Sequence, residues 1–221
     1  MAIEAVIFDF GGVIVPGSPM GDDPNSPMAI LEREHGLAAG FLWPAVYLDN
    51  AGWQRLRVGD GSYEEWDALS RKAIAGVSND ETAAAVVAAL NATRPQGPGL
   101  SGKPPVFNDG MIRLVEQLRE RYRVGLLSNA APGLEEELRT HYGIYDLFHD
   151  VINSATVRLA KPDPRIYHLA AERIGVSITS CFFVDDLAHN IESARETGMT
   201  AHQFQGYADL AVALAEAGVF A

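Results

Sequence analysis

The chain has little positive charge and almost no cysteine. Its 221 residues carry 17 Lys and Arg against 29 Asp and Glu, which gives a formal net charge of −12. Proteins bind nucleic-acid backbones through basic faces, so we expect no nucleic-acid partner. The single cysteine, Cys181, allows no internal disulfide. This fits a reducing compartment, and we therefore expect a cytoplasmic location.

The sequence also lacks the features of a membrane or exported protein. It contains no run of about 18 apolar residues, the length that a transmembrane helix needs. The N-terminal stretch has no basic region, and Glu4 and Asp9 interrupt its apolar residues, so we do not expect a secretory signal. With 48% hydrophobic residues the chain has enough apolar side chains for a sizeable core. The oligomeric state is left open.

The first apolar run contains a carboxylate near its end. Val6 to Phe8 precede Asp9, and Gly11 and Gly12 follow it. Buried parallel strands have such near-continuous apolar sequences, and an unpaired charge beside one is costly without a partner or a metal. Asp9 is therefore a candidate nucleophile or metal ligand, with a strand-ending turn as the simpler alternative.

Strand and helix patterns alternate over the second half of the chain. Apolar runs typical of strands occur at residues 3–10, 123–128, 148–153, 181–185 and 200–204, with helical patterns between the later ones. This alternation predicts an α/β fold, a Rossmann-like parallel sheet with helices on both faces. Residues 16–100 show helical patterns and no clear strand. We expect a core of residues 1–15 and 101–221 and an inserted helical cap of residues 16–100.

The predicted cap contains two capping-box patterns, Ser62 to Glu65 and Ser78 to Glu81, each before a helical stretch. After it, Gly97 to Lys103 has the glycine and lysine spacing of a P-loop. Pro104 stands where the magnesium-binding Ser or Thr should follow, so we reject a P-loop. Candidate substrate contacts in the cap are Trp43, Tyr47, Trp53, Arg55 and Arg57. Bulky residues at such positions are more often part of the cap core, and arginines are more often solvated.

Polar residues follow the apolar strands at four places along the chain. Parallel strands bring such loops together at one edge of the sheet, where ligands bind. The set suits a phosphate and Mg²⁺, because carboxylate oxygens ligate magnesium while lysine and hydroxyl groups bind phosphate oxygens. Seen alone, each residue has a structural explanation as a turn, a helix cap or a solvated side chain. The residues are Asp9, Ser128 with Asn129, Lys161, and Asp185 with Asp186.

These motifs, in this order, resemble the haloacid dehalogenase superfamily of hydrolases. The resemblance covers the predicted core, and the predicted cap matches the small helical cap that follows the first motif in that family. It is strongest to the branch with sugar-phosphate phosphatases and the phosphatase domain of soluble epoxide hydrolases. The matching stretches are Val6 to Val13, Leu126 to Asn129, Lys161 to Pro164, and Phe183 to Asp186 continuing to Asn190 through Ala194.

The resemblance implies a magnesium-dependent phosphatase of a small phosphorylated metabolite, with an aspartyl-phosphate on Asp9. It implies that Ser128, Asn129 and Lys161 bind the phosphoryl group. The metal ligands would be Asp9, the Gly11 carbonyl, Asp186, and Asp185 directly or through water. A supporting role, fixing the acidic loop, falls to Asn190.

One position departs from most phosphatases of that superfamily. They carry a second Asp two residues after the nucleophile as general acid and base, and here this residue is Gly11. Such help is typically worth ~10² to 10⁴ in rate. Two alternatives therefore stay open: a metal-independent 2-haloacid dehalogenase, and a non-catalytic relative that binds a phosphorylated ligand or a protein partner. A phosphonate hydrolase would use a cap lysine, and Lys72, the only one, fits a solvated side chain better.

Overall fold

The computed structural model describes residues 2–16, 24, 26–93 and 104–220. Two predicted features lie outside these residues. They are the glycine-rich stretch Gly97 to Lys103 and the C-terminal boundary of the cap, between residues 100 and 101. Within them, no helix is both long enough and apolar enough to cross a bilayer.

Five parallel strands form one sheet in the order β3-β2-β1-β4-β5, which confirms the predicted fold class. The apolar sequence explains why β1 lies in the middle, since all four of its residues are fully buried. The strands are β1 Ala5–Phe8, β2 Arg123–Ser128, β3 Asp150–Asn153, β4 Cys181–Asp185 and β5 Thr200–Gln203.

Helices cover both faces of the sheet. Alternate residues of β1 point to opposite sides, so that Val6 and Phe8 enter one apolar cluster while Ala5 and Ile7 enter another. Each cluster is completed by the apolar faces of core helices. Helices are numbered in chain order, and α1 to α5, which precede β2, are described below. The core helices are α6 Met111–Arg119, α7 Leu134–Thr140, α8 Ser154–Val157, α9 Pro164–Ile174, α10 Ala188–Glu196 and α11 Tyr207–Glu216.

The residues between β1 and β2 contribute a set of helices with an apolar cluster of their own. We call residues 26–93 the helical insert. Its cluster includes Leu42, Leu56, Trp66 and Ile74. Its helices are α1 Pro27–Glu34, the π-helical α2 Pro44–Leu48, α3 Ala51–Leu56, α4 Tyr63–Ala75 and α5 Asp80–Thr93. No strand occurs among its described residues, as its sequence pattern predicts.

One of the two capping predictions is wrong. Ser62 does cap α4, accepting a hydrogen bond from the backbone N–H of Glu65. The second helix starts one residue later than predicted, because Asn79 is the residue that caps it, accepting from Thr82 N at 2.9 Å. The hydroxyl of Ser78 instead donates to the carbonyl of Ile74 in the preceding helix. Asparagine and serine cap helices about equally well, so the pattern alone could not separate them.

Candidate active site

The strand register brings the predicted residues to one edge of the sheet. In β1, Phe8 lies beside Leu126 of β2 and Val184 of β4, so these three strands end at the same level. Asp9 follows β1 directly, and its N–H donates to the carbonyl of Val184 at 2.8 Å. The last residues of the neighbouring strands are Ser128 and Asp185.

Lys161 reaches this edge from the loop before α9 and links the carboxylates. Its Nζ lies 2.9 Å from Asp9 Oδ1 and 2.6 Å from Asp185 Oδ2, and it donates to the carbonyl of Leu127 at 2.9 Å. The side chain is almost completely buried. Burial alone would lower the pKa of Lys161, but the charges of Asp185 and Asp9 outweigh this and raise it above the ordinary value. Lys161 is therefore a permanent cation at the site.

Asp185 is held in place from all sides. Its Oδ1 accepts from the N–H of Leu187 at 2.9 Å, and the amide of Asn190 donates to both of its oxygens at 3.0 and 3.1 Å. With Lys161 as a further partner, both carboxylate oxygens are engaged and the side chain is fully buried. The geometry suits Asp185 to orienting Lys161 more than to ligating a metal directly.

Asp186 differs, because its Oδ1 is buried with no hydrogen-bond partner among the described residues. Burial, and then the charges of Asp9 and Asp185, raise its pKa to about 7. Ligand atoms of these three aspartates lie within 4.8 Å of one another. Clustered carboxylates with an unpartnered oxygen fit a hard divalent cation such as Mg²⁺, whose charge would favour the ionised forms.

Gly12 makes room for this arrangement. Its backbone has φ +84°, and a Cβ at this position would lie 2.3 Å from Asp186 Oδ2. A side chain at position 12 would therefore displace the carboxylate of Asp186. At Gly11, by contrast, a Cβ would meet no described heavy atom within 4 Å. The absence of an acid at position 11 is therefore not imposed by lack of space, and the role of the Gly11 carbonyl as a metal ligand stays a prediction.

The nucleophile candidate Asp9 is buried and has one engaged oxygen. Its Oδ1 accepts from the N–H of Phe10 at 2.7 Å as well as pairing with Lys161. Burial raises the pKa of Asp9 to about 7, against the lowering effect of Lys161. The second oxygen has no hydrogen-bond partner among the described residues, which leaves it available for attack.

Asn129 fixes the backbone of the lysine. It accepts from Lys161 N at 2.8 Å and donates to Lys161 O at 2.8 Å. The same carbonyl accepts a 3.2 Å bond from Nη1 of Arg57 in the helical insert. The side chain of Asn129 is therefore occupied in positioning, and its predicted contact with the phosphoryl group would have to come from its backbone. Ser128 is buried, and its hydroxyl makes no hydrogen bond with the described residues.

A cavity of about 480 Å³ lies between the sheet edge and the helical insert, within the range of small-molecule sites. Three of the predicted insert contacts form an aromatic group on its wall: Trp43 stacks on Tyr47 at 4.4 Å between ring centroids, and Tyr47 meets Trp53 edge-on at 5.1 Å. Arg57 also lines the cavity, whereas Arg55 is exposed, pairs with Glu65 and does not line it. Lys72 is exposed and away from the cavity wall.

Glu137, which is not among the residues predicted from the sequence, lines the same cavity. It lies on α7 between Leu134 and Leu138, the two apolar residues that turn this helix toward the core. The signal was present, because a carboxylate three residues after one buried leucine and directly before another occupies an apolar-face position.

A family model for haloacid dehalogenase-like hydrolases matches residues 3–198. With the parallel sheet and the strand-end site this makes the chain a member of the haloacid dehalogenase-like hydrolase family, as its motifs predicted, and hence an enzyme of the hydrolase class. The particular branch of the family stays a prediction.

Several phosphatases are similar in sequence. Phosphatase MT3486 of Mycobacterium tuberculosis (strain CDC 1551 / Oshkosh) is 39% identical over 97 residues, which are 43% of this chain and only 45% of that protein. Glyceraldehyde 3-phosphate phosphatase of Methanopyrus kandleri is 27% identical over 89% of this chain and 82% of its own length. An (S)-2-haloacid dehalogenase of Xanthobacter autotrophicus is 25% identical over 90% of this chain and 73% of that protein.

The fold is shared with a solved enzyme of the same family. A protein from Bacteroides thetaiotaomicron, determined in complex with magnesium and inorganic phosphate, superposes with a TM-score of 0.63. It is 19% identical, and the match covers 93% of this chain and 95% of that one. This agreement establishes the common architecture.

Proposed function

We propose that the protein is a magnesium-dependent phosphatase that hydrolyses a small phosphate monoester through an aspartyl-phosphate on Asp9. The observation that carries the proposal is the unpartnered oxygen of Asp186 in a cluster with Asp9, which is itself paired with Lys161 at 2.9 Å. An orphaned carboxylate oxygen beside two further carboxylates is costly without a cation. A cation and a lysine beside one nucleophilic oxygen are what transfer of a phosphoryl group requires.

The residues divide the chemistry between them. The free oxygen of Asp9 forms a bond to phosphorus while the bond from phosphorus to the leaving oxygen breaks, and the leaving group takes a proton from water. A water molecule then attacks the phosphorus, releasing inorganic phosphate and restoring the carboxylate. Lys161 offsets the charge that develops on the phosphoryl oxygens, and the hydroxyl of Ser128 donates to one of them. Magnesium, held by Asp9 and Asp186, would supply further stabilisation of this negative charge.

We also propose that the helical insert acts as a cap. Its Arg57 bonds directly to the Lys161 loop, and Asp60 in the same segment pairs with Arg158 of the core. The aromatic wall formed by the insert faces the catalytic residues across the cavity. Covering the site in this way excludes water and favours small substrates.

A 2-haloacid dehalogenase is the second candidate, supported by Gly11 and by the dehalogenase among the relatives. Attack by Asp9 on carbon would need no metal. It would leave the unpartnered oxygen of Asp186 without a function, which is why we place phosphoryl transfer first. A non-catalytic phospho-ligand-binding protein would share the site but lack turnover.

Hydrolysis of an activated aryl phosphate with Mg²⁺ or with EDTA tests the proposal. The comparison is between the parent protein, Asp9→Asn, and the control Asp146→Asn, which changes an exposed aspartate by the same atoms. We expect a magnesium-dependent rate that the control retains and Asp9→Asn loses by at least about 10³-fold. Equal rates in all three proteins would contradict the role of Asp9. If folded parent protein shows no phosphate release, turnover of 2-haloacids without metal separates the dehalogenase from the binding protein.

A further inference from the structure

Glu137 is a buried carboxyl group that the proposed reaction does not use. Only 8% of the residue is exposed, and its Oε1 has no hydrogen-bond partner among the described residues. The same side chain lines the cavity that holds Asp9. A desolvated oxygen without a partner is destabilising, so its retention in the wall of a cavity points to a partner supplied by the ligand.

No cation among the described residues offsets the effect of burial on the pKa of Glu137. Burial raises its pKa to about 8, which favours the neutral carboxylic acid over the carboxylate at neutral pH. A neighbouring titratable group is Tyr142, whose pKa is raised to about 12 by burial and by the charge of Glu137. On its own helix, Glu136 is exposed, Glu135 accepts from Asn153, and Arg139 lies over the ring of Tyr145.

Glu137 is also connected to the catalytic strand through aromatic packing. The ring of Tyr142 meets the ring of Phe10 edge-on, with 4.9 Å between centroids, and Phe10 follows Asp9 directly. Both rings line the cavity. A substrate whose phosphate lies at Asp9 therefore has room in this cavity for a leaving group that reaches Glu137.

We infer that Glu137 is a specificity-determining residue that accepts a hydrogen bond from a hydroxyl or ammonium group on the leaving group of the substrate. The inference rests on the proposed phosphatase function and deepens it, because it narrows the substrates to phosphate monoesters whose leaving group carries a donor. A site built to hydrogen-bond a donor discriminates strongly against an analogue that lacks it, since the buried acceptor is then left unpaired. We expect a preference on the order of 10- to 100-fold.

Three pairs of substituted phenyl phosphates test this, because their reacting groups are closely alike and the aromatic side chains that line the cavity suit a phenyl ring. The para and meta isomers of hydroxymethylphenyl, aminomethylphenyl and ethylphenyl phosphate carry a hydroxyl, an ammonium and an apolar group of similar size. We expect kcat/KM of the parent protein to be about 10- to 100-fold higher for at least one donor substrate than for the ethyl substrate. The hydroxyl and ammonium arms separate the two kinds of donor.

Variants at position 137 assign any preference to this residue. Glu137→Leu should abolish it, whereas Glu136→Leu, at the exposed neighbour on the same helix, should retain it. Glu137→Gln keeps an acceptor oxygen without a charge, so it should keep preference for the hydroxyl substrate and lose preference for the ammonium substrate. If Glu137→Leu does not fold, the glutamine variant decides through the ammonium arm and Glu137→Met through the hydroxyl arm.

Two results would overturn the inference while leaving the phosphatase function intact. One is the same kcat/KM of the parent protein for the hydroxymethyl, aminomethyl and ethyl substrates. The other is a donor preference that Glu137→Leu retains. Failure of the phosphatase function has a different signature, because the parent protein would then release no phosphate from any of these substrates.

Discussion

Replacing Glu137 with glutamine should stabilise the protein at alkaline pH relative to acidic pH. The carboxyl group has a pKa of about 8 in the folded protein because of burial, against an ordinary value of 4.5. Between these two values the folded state holds a proton that the unfolded state has released. The free energy of unfolding of the parent protein therefore falls as the pH rises from about 4.5 to about 8. Glutamine has nearly the same shape and does not titrate, so it removes this fall.

The structure sets the size of the effect. One pKa unit corresponds to about 1.4 kcal/mol, so the full shift would change the free energy of unfolding by at most about 4 kcal/mol between pH 5 and pH 9. Water entering from the adjacent cavity reduces the cost of the ionised form. We expect Glu137→Gln to gain about 2 kcal/mol or more on the parent protein over this interval.

Urea unfolding at pH 5 and at pH 9, with EDTA present, measures this change. The difference between variant and parent at each pH cancels the other titrating groups, including Asp9 and Asp186. Glu136→Gln serves as the control because Glu136 is exposed on the same helix, and its difference from the parent should not vary with pH. A difference for Glu137→Gln that is the same at both pH values would refute the reasoning that burial holds Glu137 protonated.

Three further predictions concern Asp186 and the two glycines that follow β1, Gly11 and Gly12. Mg²⁺ at 100 times its Kd should raise the free energy of unfolding by about 2.7 kcal/mol, and Asp186→Asn should remove most of this gain, so an equal gain in both proteins would speak against Asp186 as a ligand. Gly12→Ala should cost at least about 1 kcal/mol in urea unfolding and weaken the magnesium effect. The reason is that φ is +84° at this residue and that the new Cβ would lie 2.3 Å from Asp186 Oδ2. Unchanged stability would show that the Asp186 side chain can move aside. Gly11→Asp places an acid in open space and should raise the turnover of alkyl phosphates by up to ~10²-fold, and the same gain with Gly11→Asn would rule out proton transfer as its cause.

Much of the core was predictable because the same sequence pattern, an apolar run that ends in a polar residue, marks both the strands and the site. A buried parallel strand must be apolar throughout, so a carboxylate or serine at its end stands out, and the parallel arrangement then gathers such residues at one edge. Asp9, Ser128 and Asp185 follow this rule. Glu137 lies on a helix instead, where its spacing from Leu134 and Leu138 places it on the apolar face, but only the tertiary structure decides that this face meets the cavity.

The contacts between the insert and the core could not be predicted from the sequence. Arg55 and Arg57 stand two residues apart in the same helical segment and were equal candidates. The structure turns Arg55 outward to Glu65, while Arg57 donates to the carbonyl of Lys161, 104 positions away. Only the packing of the insert on the core decides between them, and no local pattern encodes that packing.

The charges of the site imply that a bound metal ion would affect the ionisation of the nucleophile candidate Asp9. Three carboxylates, those of Asp9, Asp185 and Asp186, lie together, and Lys161 pairs with the first two. Asp185 accepts hydrogen bonds from Lys161 and Asn190, whereas burial and the charges of neighbouring carboxylates raise the pKa values of Asp9 and Asp186 to about 7. Without a metal ion, these raised pKa values leave part of the Asp9 and Asp186 side chains protonated at neutral pH. A bound divalent cation would favour their ionised forms instead. On the proposed function we therefore expect activity to demand higher magnesium concentrations as the pH falls below 7, because protons and Mg²⁺ compete for the same oxygens.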